Sequence, residues 1–350
     1  MADEPIFCIN GRFLTRKITG VDRYAREIVR ELDALMRKGE AVLLLPEGME
    51  PVDWEPCSNI ELRHYGKHGG HVWEQLELSR YVSKNGLLAV NLCNTAPIFN
   101  PGVVCIHDMN VLANPAFYGW KFRNYYRIMF SFLAKRAKLI LTDSHFSKTE
   151  IEKYYPLAVD KIEIVSCSWQ HMNDIKDEPS SLDKYRLSRG DYWFAMSSLA
   201  PNKNLRWLVE TALRNPKETI VIAGGINAKI FGKHEIPQAS NVQYLGYVSD
   251  GEAKALMEGC KGFLYPTFYE GFGIPPMEAL AAGAPIVAVS DSDVMHEVYG
   301  DAVAYVDPYV PYDELNGLLG KDAESIDDFL RSYSWRASAE RILAVMRRAL

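Results

Sequence analysis

Two glutamates eight positions apart, Glu270 and Glu278, frame the run Tyr-Glu-Gly-Phe-Gly-Ile-Pro-Pro-Met-Glu-Ala at residues 269–279. Between them, Gly271 and Gly273 allow the backbone to approach a ligand closely and to take positive φ. Pro275 and Pro276 suit a first helical turn, where a missing N–H costs least. Unpaired amides at such a helix start, with the helix dipole behind them, suit a phosphate or pyrophosphate. A carboxylate accepts two hydrogen bonds and so suits the vicinal hydroxyls of a sugar or ribose. Glu278 taken alone would serve equally well as a dipole or capping-box residue.

A second group lies in Leu-Ala-Pro-Asn-Lys-Asn-Leu, residues 199–205, between an apolar run and a helical stretch. Lys203 there is either a point charge that meets a diphosphate or a solvated lysine beside a helix cap. In VVCIHDMN, His107 and Asp108 end a strand; the histidine is a ligand contact or a hydrogen-bonded structural residue. Asp108 would fix that imidazole or cap the following loop. The stretch NGRFLTRKITGVDR puts Gly20 just before a helix, with Arg12, Arg16, Lys17 and Arg23 around it. Those four cations either line a ligand opening or form an exposed basic loop.

Short, continuously apolar runs must hold these loops, as expected when helices cover both faces of a sheet. Strands are predicted at 5–10, 41–46, 87–93, 103–108, 139–144 and 162–167, with helices at 21–38, 73–85, 119–138 and 145–155. A polar stretch interrupts the pattern, and the alternation restarts at YWFAMSS, TIVIAGG, NVQYLGYV, GFLYPT, PIVAVS and AVAYVD. The implied class is α/β, with two doubly wound Rossmann-like domains facing a cleft. The predicted boundaries are an acceptor-side domain at 1–170, a linker at 171–190 and a donor domain at 191–333. A C-terminal helix at 334–350 would cross back to the first domain.

Glu-Gly-Phe-Gly-Ile-Pro-x-x-Glu-Ala resembles the E-x7-E signature of retaining glycosyltransferases of family 4, which have the two-domain GT-B fold. The likeness extends upstream through NVQYLGYVSDGEAKALMEGCKGFLYPTFYEGFG and downstream through EALAAGAPIVAVS and EVYGDAVAYVDP. The resemblance implies a nucleotide diphosphate sugar as donor substrate, with no other cofactor and no metal. It places Glu278 on ribose hydroxyls, Glu270 near the sugar, and Lys203 with the amides of Gly271, Phe272 and Gly273 at the diphosphate. It also brings Gly20 to the diphosphate and lets His107 touch the donor sugar, so Glu270, His107 and Lys203 form the expected catalytic set. HVWEQLELSRYV resembles a Trp-Glu-Gln-Leu segment of bacterial polysaccharide transferases, making Glu74 an acceptor contact beside Arg23 and Asp108. Asn202, where the family usually has a basic residue, and Ser197 and Ser198, near a usual arginine, depart from the pattern. They keep a non-catalytic sugar-nucleotide or glycan-binding protein as the alternative reading.

The implied reaction moves a hexose, mannose favoured, to a saccharide or lipid-linked acceptor in polysaccharide or lipopolysaccharide biosynthesis. A nicotinamide-dependent dehydrogenase is disfavoured, since the first strand leads into NGRFLTRKITG and not a G-x-G-x-x-G turn. The 350 residues carry a net charge of −6, which gives no general pull toward nucleic acid. That total divides into +1 over residues 1–170 and −7 over 171–350. Six scattered cysteines without a C-x-x-C pair fit a reducing compartment. The N-terminus lacks the pattern of a signal peptide and no apolar run is long enough to span a membrane, so the expected place is cytoplasmic. The stretch 120–138 interleaves aromatics with lysine and arginine: either a contact with an anionic membrane surface or a buried helix with a basic edge.

Overall fold

A computed structural model describes residues 5–198, 200–225 and 238–350. Leu199, which opens the lysine-bearing loop, lies outside the described residues. The chain divides into two compact units: Met1–Cys167 with Ser334–Leu350, and Ser168–Tyr333. The principal helices are α1 (Gly20–Leu35), α2 (Trp120–Arg136), α3 (Leu205–Arg214), α4 (Asp250–Gly259), α5 (Ile274–Ala281), α6 (Asp293–Tyr299), α7 (Ala323–Arg331) and α8 (Trp335–Arg348).

Among the described residues, the first unit holds a seven-stranded parallel sheet. Its strands are β1 (Phe7–Asn10), β2 (Ala41–Leu45), β3 (Glu61–His64), β4 (Leu88–Asn91), β5 (Val103–Cys105), β6 (Leu139–Thr142) and β7 (Ile162–Ile164). They are ordered β3-β2-β1-β4-β5-β6-β7, with Cys8 opposite Val42 on one side and Ala89 on the other. Val104, Ile106 and Ile140 pack with Phe130 and Leu133 of α2, while Cys8, Val42 and Leu44 pack with Trp73 and Leu78. Each such side chain contributes about 1.5–3 kcal/mol of transfer free energy. The edge strand β3 is mostly exposed and reads Glu-Leu-Arg-His. It lacks the apolar run that a strand buried on both faces requires, which is why the pattern misses it.

The second unit holds a six-stranded parallel sheet among the described residues. Its strands are β8 (Tyr192–Met196), β9 (Thr219–Ala223), β10 (Val242–Gly246), β11 (Gly262–Tyr265), β12 (Val287–Ser290) and β13 (Ala304–Val306), ordered β10-β9-β8-β11-β12-β13. Trp193, Ala195, Ile220, Ile222 and Leu264 pack with Trp207 and Leu208 of α3. In both sheets the order reverses beside the first strand of the unit, between β1 and β4 and between β8 and β11. Ligands of such sheets bind beyond the carboxyl ends of the strands at this reversal.

The stretch 171–190, expected as a linker, is built into the second unit. It contains a 3-10 turn at Gln170–Asn173 and a helix at Ser180–Tyr185. Its polar groups find partners on α4: Lys254 Nζ donates to the Ile175 carbonyl at 3.0 Å, and Lys184 pairs with Glu252. The C-terminal α8 packs within the first unit. Ser338 Oγ donates to the Ser166 carbonyl at 2.7 Å, and Arg347 donates to the buried Glu40 carboxylate at 3.0 Å.

Candidate functional site

At the sheet reversal of the second unit, the loop after β8 carries Lys203 and the loop after β11 carries Glu270. Lys203 Nζ donates to Glu270 Oε1 and to the Tyr265 hydroxyl, each at 2.8 Å. Burial and the neighbouring Glu270 charge push the Tyr265 phenol well above its ordinary pKa, so it remains a neutral partner. Sequence reasoning missed Tyr265 because only the fold turns the last residue of β11 toward a lysine 62 positions earlier.

The two loops are tied together by the residues that depart from the family pattern or flank it. Asn202 accepts from the Phe268 N–H through its carbonyl at 2.8 Å and donates from Nδ2 to the Tyr269 carbonyl at 3.2 Å. Through these two bonds Asn202 fastens the loop that presents Glu270. Asn204 is left-handed at φ 53° and donates to the carbonyls of Pro266 and Pro308 at 2.9 and 2.7 Å.

Gly273 caps α5 at φ 88°, and a Cβ there would lie 2.8 Å from Met295 Cε. Glycine is therefore favoured by the backbone conformation, while the flexible end of Met295 can give way. The Tyr299 hydroxyl donates to the Gly273 carbonyl and accepts from the Met277 N–H at 3.1 Å. Pro275 and Pro276 have no N–H to give, so the first three positions of α5 supply a single amide, that of Ile274. The expectation of several unpaired amides at this helix start is corrected accordingly. Phe272 is buried edge-on against Tyr333 at 5.7 Å and is a packing residue in this structure. Glu278, on the second turn of α5, accepts from His171 Nε2 at 2.9 Å. His171 lies in the stretch read as a linker, which gave no reason to look for a partner there.

In the first unit His107 pairs with Asp143. Its ring is 5% exposed, with Nδ1 2.7 Å from Asp143 Oδ2 and Nε2 2.9 Å from the Leu92 carbonyl. Both partners are acceptors, so the hydrogen-bond network assigns a proton to each nitrogen. Burial would lower the pKa of the ring, but the Asp143 charge and hydrogen bond outweigh it and hold it well above the ordinary value. The ring also packs edge-on against Tyr24 at 4.8 Å. Asp108 caps the following loop, accepting from the Asn110 N–H at 2.8 Å, while Asp143 fixes the imidazole. Cys105 Sγ completes a buried trio whose potential ligand atoms lie within 4.8 Å of one another. Within it, His107 Nδ1 and Asp143 Oδ2 are joined by the 2.7 Å hydrogen bond.

At the reversal between β1 and β4, Arg12 donates to Thr95 Oγ1 at 3.1 Å and lies 3.4 Å from Glu74 Oε2. Glu74 is fully buried and also accepts from Asn10 Nδ2 at 3.0 Å and Thr95 Oγ1 at 2.9 Å. Burial would raise its pKa, yet His71, Arg12, Asn10 and Thr95 together hold it below the ordinary carboxylate value. Glu74 thus anchors Arg12 and the half-exposed His71. Its backbone belongs to a π-helical stretch, Trp73–Leu78, a form found frequently at functional sites. Arg23 pairs with Glu27 at 3.7 Å, and Gly20 begins α1 with open space where a Cβ would stand. Arg16 donates to the buried Asp22 carboxylate at 2.8 Å through Nε. No helix among the described residues is long and apolar enough to cross a membrane.

Residues 183–332 match the family described as Glycosyl transferases group 1. The chain is 29% identical over 252 residues to O-antigen chain mannosyltransferase B of Escherichia coli, covering 68% of this chain and 63% of that one. It is 27% identical over 231 residues to O-antigen chain mannosyltransferase RfbU of Salmonella typhimurium, covering 64% and 62%. Both matches span less than two thirds of the relative. Among solved structures, sucrose-phosphate synthase from Thermosynechococcus elongatus superposes with a TM-score of 0.75 over 99% of each chain, at 13% identity. The chain therefore carries a glycosyl transferases group 1 domain at 183–332 and has the GT-B fold.

Proposed function

We propose that this protein is a retaining hexosyltransferase of family 4, moving mannose from GDP-mannose to a saccharide or lipid-linked acceptor in surface-polysaccharide biosynthesis. The observation that carries this reading is the Lys203–Glu270 pair formed by the loops beyond β8 and β11, with Glu278 on the helix that follows. The O-antigen chain mannosyltransferases that it resembles support the reading. The second unit is the donor domain and the first faces the acceptor.

In this mechanism Glu278 accepts the ribose hydroxyls, Glu270 accepts a hydroxyl of the hexose, and Lys203 meets the diphosphate. Lys203 is held at 2.8 Å from Glu270, so the cation needs little reorganisation when leaving-group charge develops. The acceptor hydroxyl attacks the anomeric carbon on the face the diphosphate leaves, and the departing phosphate oxygen takes its proton. Retention then requires no side-chain nucleophile, and no metal is needed. The enzyme acts in the cytoplasm, with a peripheral contact at an anionic membrane. Trp120, 66% exposed on α2 beside exposed Phe122 and Lys121, supports that contact.

The test is GDP release and mannose transfer from GDP-mannose to a lipid-linked oligosaccharide, with the anomeric configuration of the product read by NMR. Lys203→Ala and Glu270→Ala are each expected to abolish transfer in a folded protein. Full activity in either, or an inverted product, would overturn the reading; donor binding without transfer would indicate a binding protein.

A further inference from the structure

His171 enters the site from outside the family signature. Its ring is buried, and Nε2 lies 2.9 Å from Glu278 Oε1. A carboxylate oxygen accepts, so Nε2 carries the proton. The Glu278 side chain keeps 16% of its surface exposed against 2% for His171. One oxygen is thus tied while the carboxylate still has an open face.

The stretch bearing His171 is itself fastened in place. Trp169 Nε1 donates to the Leu330 carbonyl and Gln170 Nε2 to the Tyr333 carbonyl, both at 2.8 Å. Tyr333 in turn donates to the Val298 carbonyl at 2.9 Å and packs on Phe272 of the glycine loop. These bonds join the residues just after Cys167 and just before Ser334, where the chain passes between the two units. They hold His171 against α5 through a framework that also packs on the Gly271–Gly273 turn.

We infer that His171 is a positioning residue: by tying Glu278 Oε1 it holds the other carboxylate oxygen ready for the 2′- and 3′-hydroxyls of a ribonucleotide. The inference rests on the reading of Glu278 as the ribose carboxylate. A free glutamate must be ordered when the nucleotide binds, and removing that cost is worth about two- to tenfold in affinity. The effect belongs to the hydroxyl contacts, so it appears for a ribonucleotide and vanishes for its dideoxy analogue.

The experiment is calorimetric titration of the full chain with GDP and with 2′,3′-dideoxy-GDP. The parent is expected to bind GDP about tenfold or more tightly than the dideoxy form. His171→Ala is expected to bring that ratio below about three, with dideoxy-GDP affinity unchanged. His171→Gln, whose amide N–H reaches the place of Nε2, is expected to restore the ratio. Equal loss of both ligands in His171→Ala would make the residue merely structural and overturn the inference, as would an unchanged ratio. Glu278→Ala separates the two claims. If it abolishes the ratio while His171→Ala keeps it, only the positioning role fails; if Glu278→Ala keeps the ratio, the donor reading of that carboxylate fails.

Discussion

Replacing Asp143 with alanine leaves His107 facing one acceptor in place of two, in a site with almost no access to water. Unit charges 2.7 Å apart attract by roughly 6 kcal/mol at an effective dielectric near 20, before desolvation is subtracted. Removing one partner of a buried pair costs about 3–5 kcal/mol. The loss here is expected near the low end, about 3 kcal/mol, because the ring can shed its proton and keep the Leu92 bond as a neutral imidazole. The pH dependence separates this account from simple cavity formation. The folded pKa of His107 is raised, so its stabilisation is fully present below the unfolded value of about 6.5 and is lost as pH rises through the folded value. The advantage of the parent over Asp143→Ala is therefore expected to shrink by about 1.4 kcal/mol per pH unit above pH 6.5. Hydrogen exchange of the β5 and β6 amides across pH 6 to 8.5, corrected for intrinsic rates, reads this within the first unit. A difference below about 1 kcal/mol at pH 6, or one that stays flat with pH, would refute the ion-pair assignment.

Gly273→Ala forces a left-handed backbone on an L-residue at a cost of about 1–2 kcal/mol, with a further contact against Met295. Urea unfolding should show at least that loss, accompanied by weaker nucleotide binding; an unchanged midpoint would contradict the role given to this turn. Glu74→Ala strips Arg12, Thr95 and Asn10 of a shared acceptor and is expected to cost about 3–5 kcal/mol, with Glu74→Gln milder. Thermal unfolding of the pair checks it, and equal behaviour of the two variants would argue against a charge role. EDTA is expected to leave transfer within twofold of its untreated rate, whereas strict metal dependence would count against stabilisation by Lys203.

The parallel sheets were legible because a strand covered on both faces must be apolar along its length, as Phe7–Asn10 and Val287–Ser290 are. The exposed edge strand at Glu61–His64 and the amphipathic α7 carry no such run. The spacing of Glu270 and Glu278 was legible for a different reason: one turn and one helix start fix it locally. What spacing cannot reveal is partnership across the fold. Tyr265 meets Lys203, Asp143 meets His107 and His171 meets Glu278 only after crossovers of 62, 36 and 107 residues. His107 shows the consequence: the end of a strand is the right address for a ligand contact, and equally the place where a neighbouring strand can supply a carboxylate.

The central claim is that the second unit binds a nucleotide diphosphate sugar through Glu278, Lys203 and Glu270. A thermal-shift panel of GDP, UDP, dTDP and ADP sugars on the full chain tests it most directly. A donor at 100 times its Kd contributes about 2.7 kcal/mol of stabilisation. That corresponds to several degrees in Tm for a domain of this size. The expected result is a clear rise with at least one sugar nucleotide, GDP-mannose foremost, and its disappearance in Glu278→Ala. No rise with any donor, or an undiminished rise in Glu278→Ala, would contradict the account.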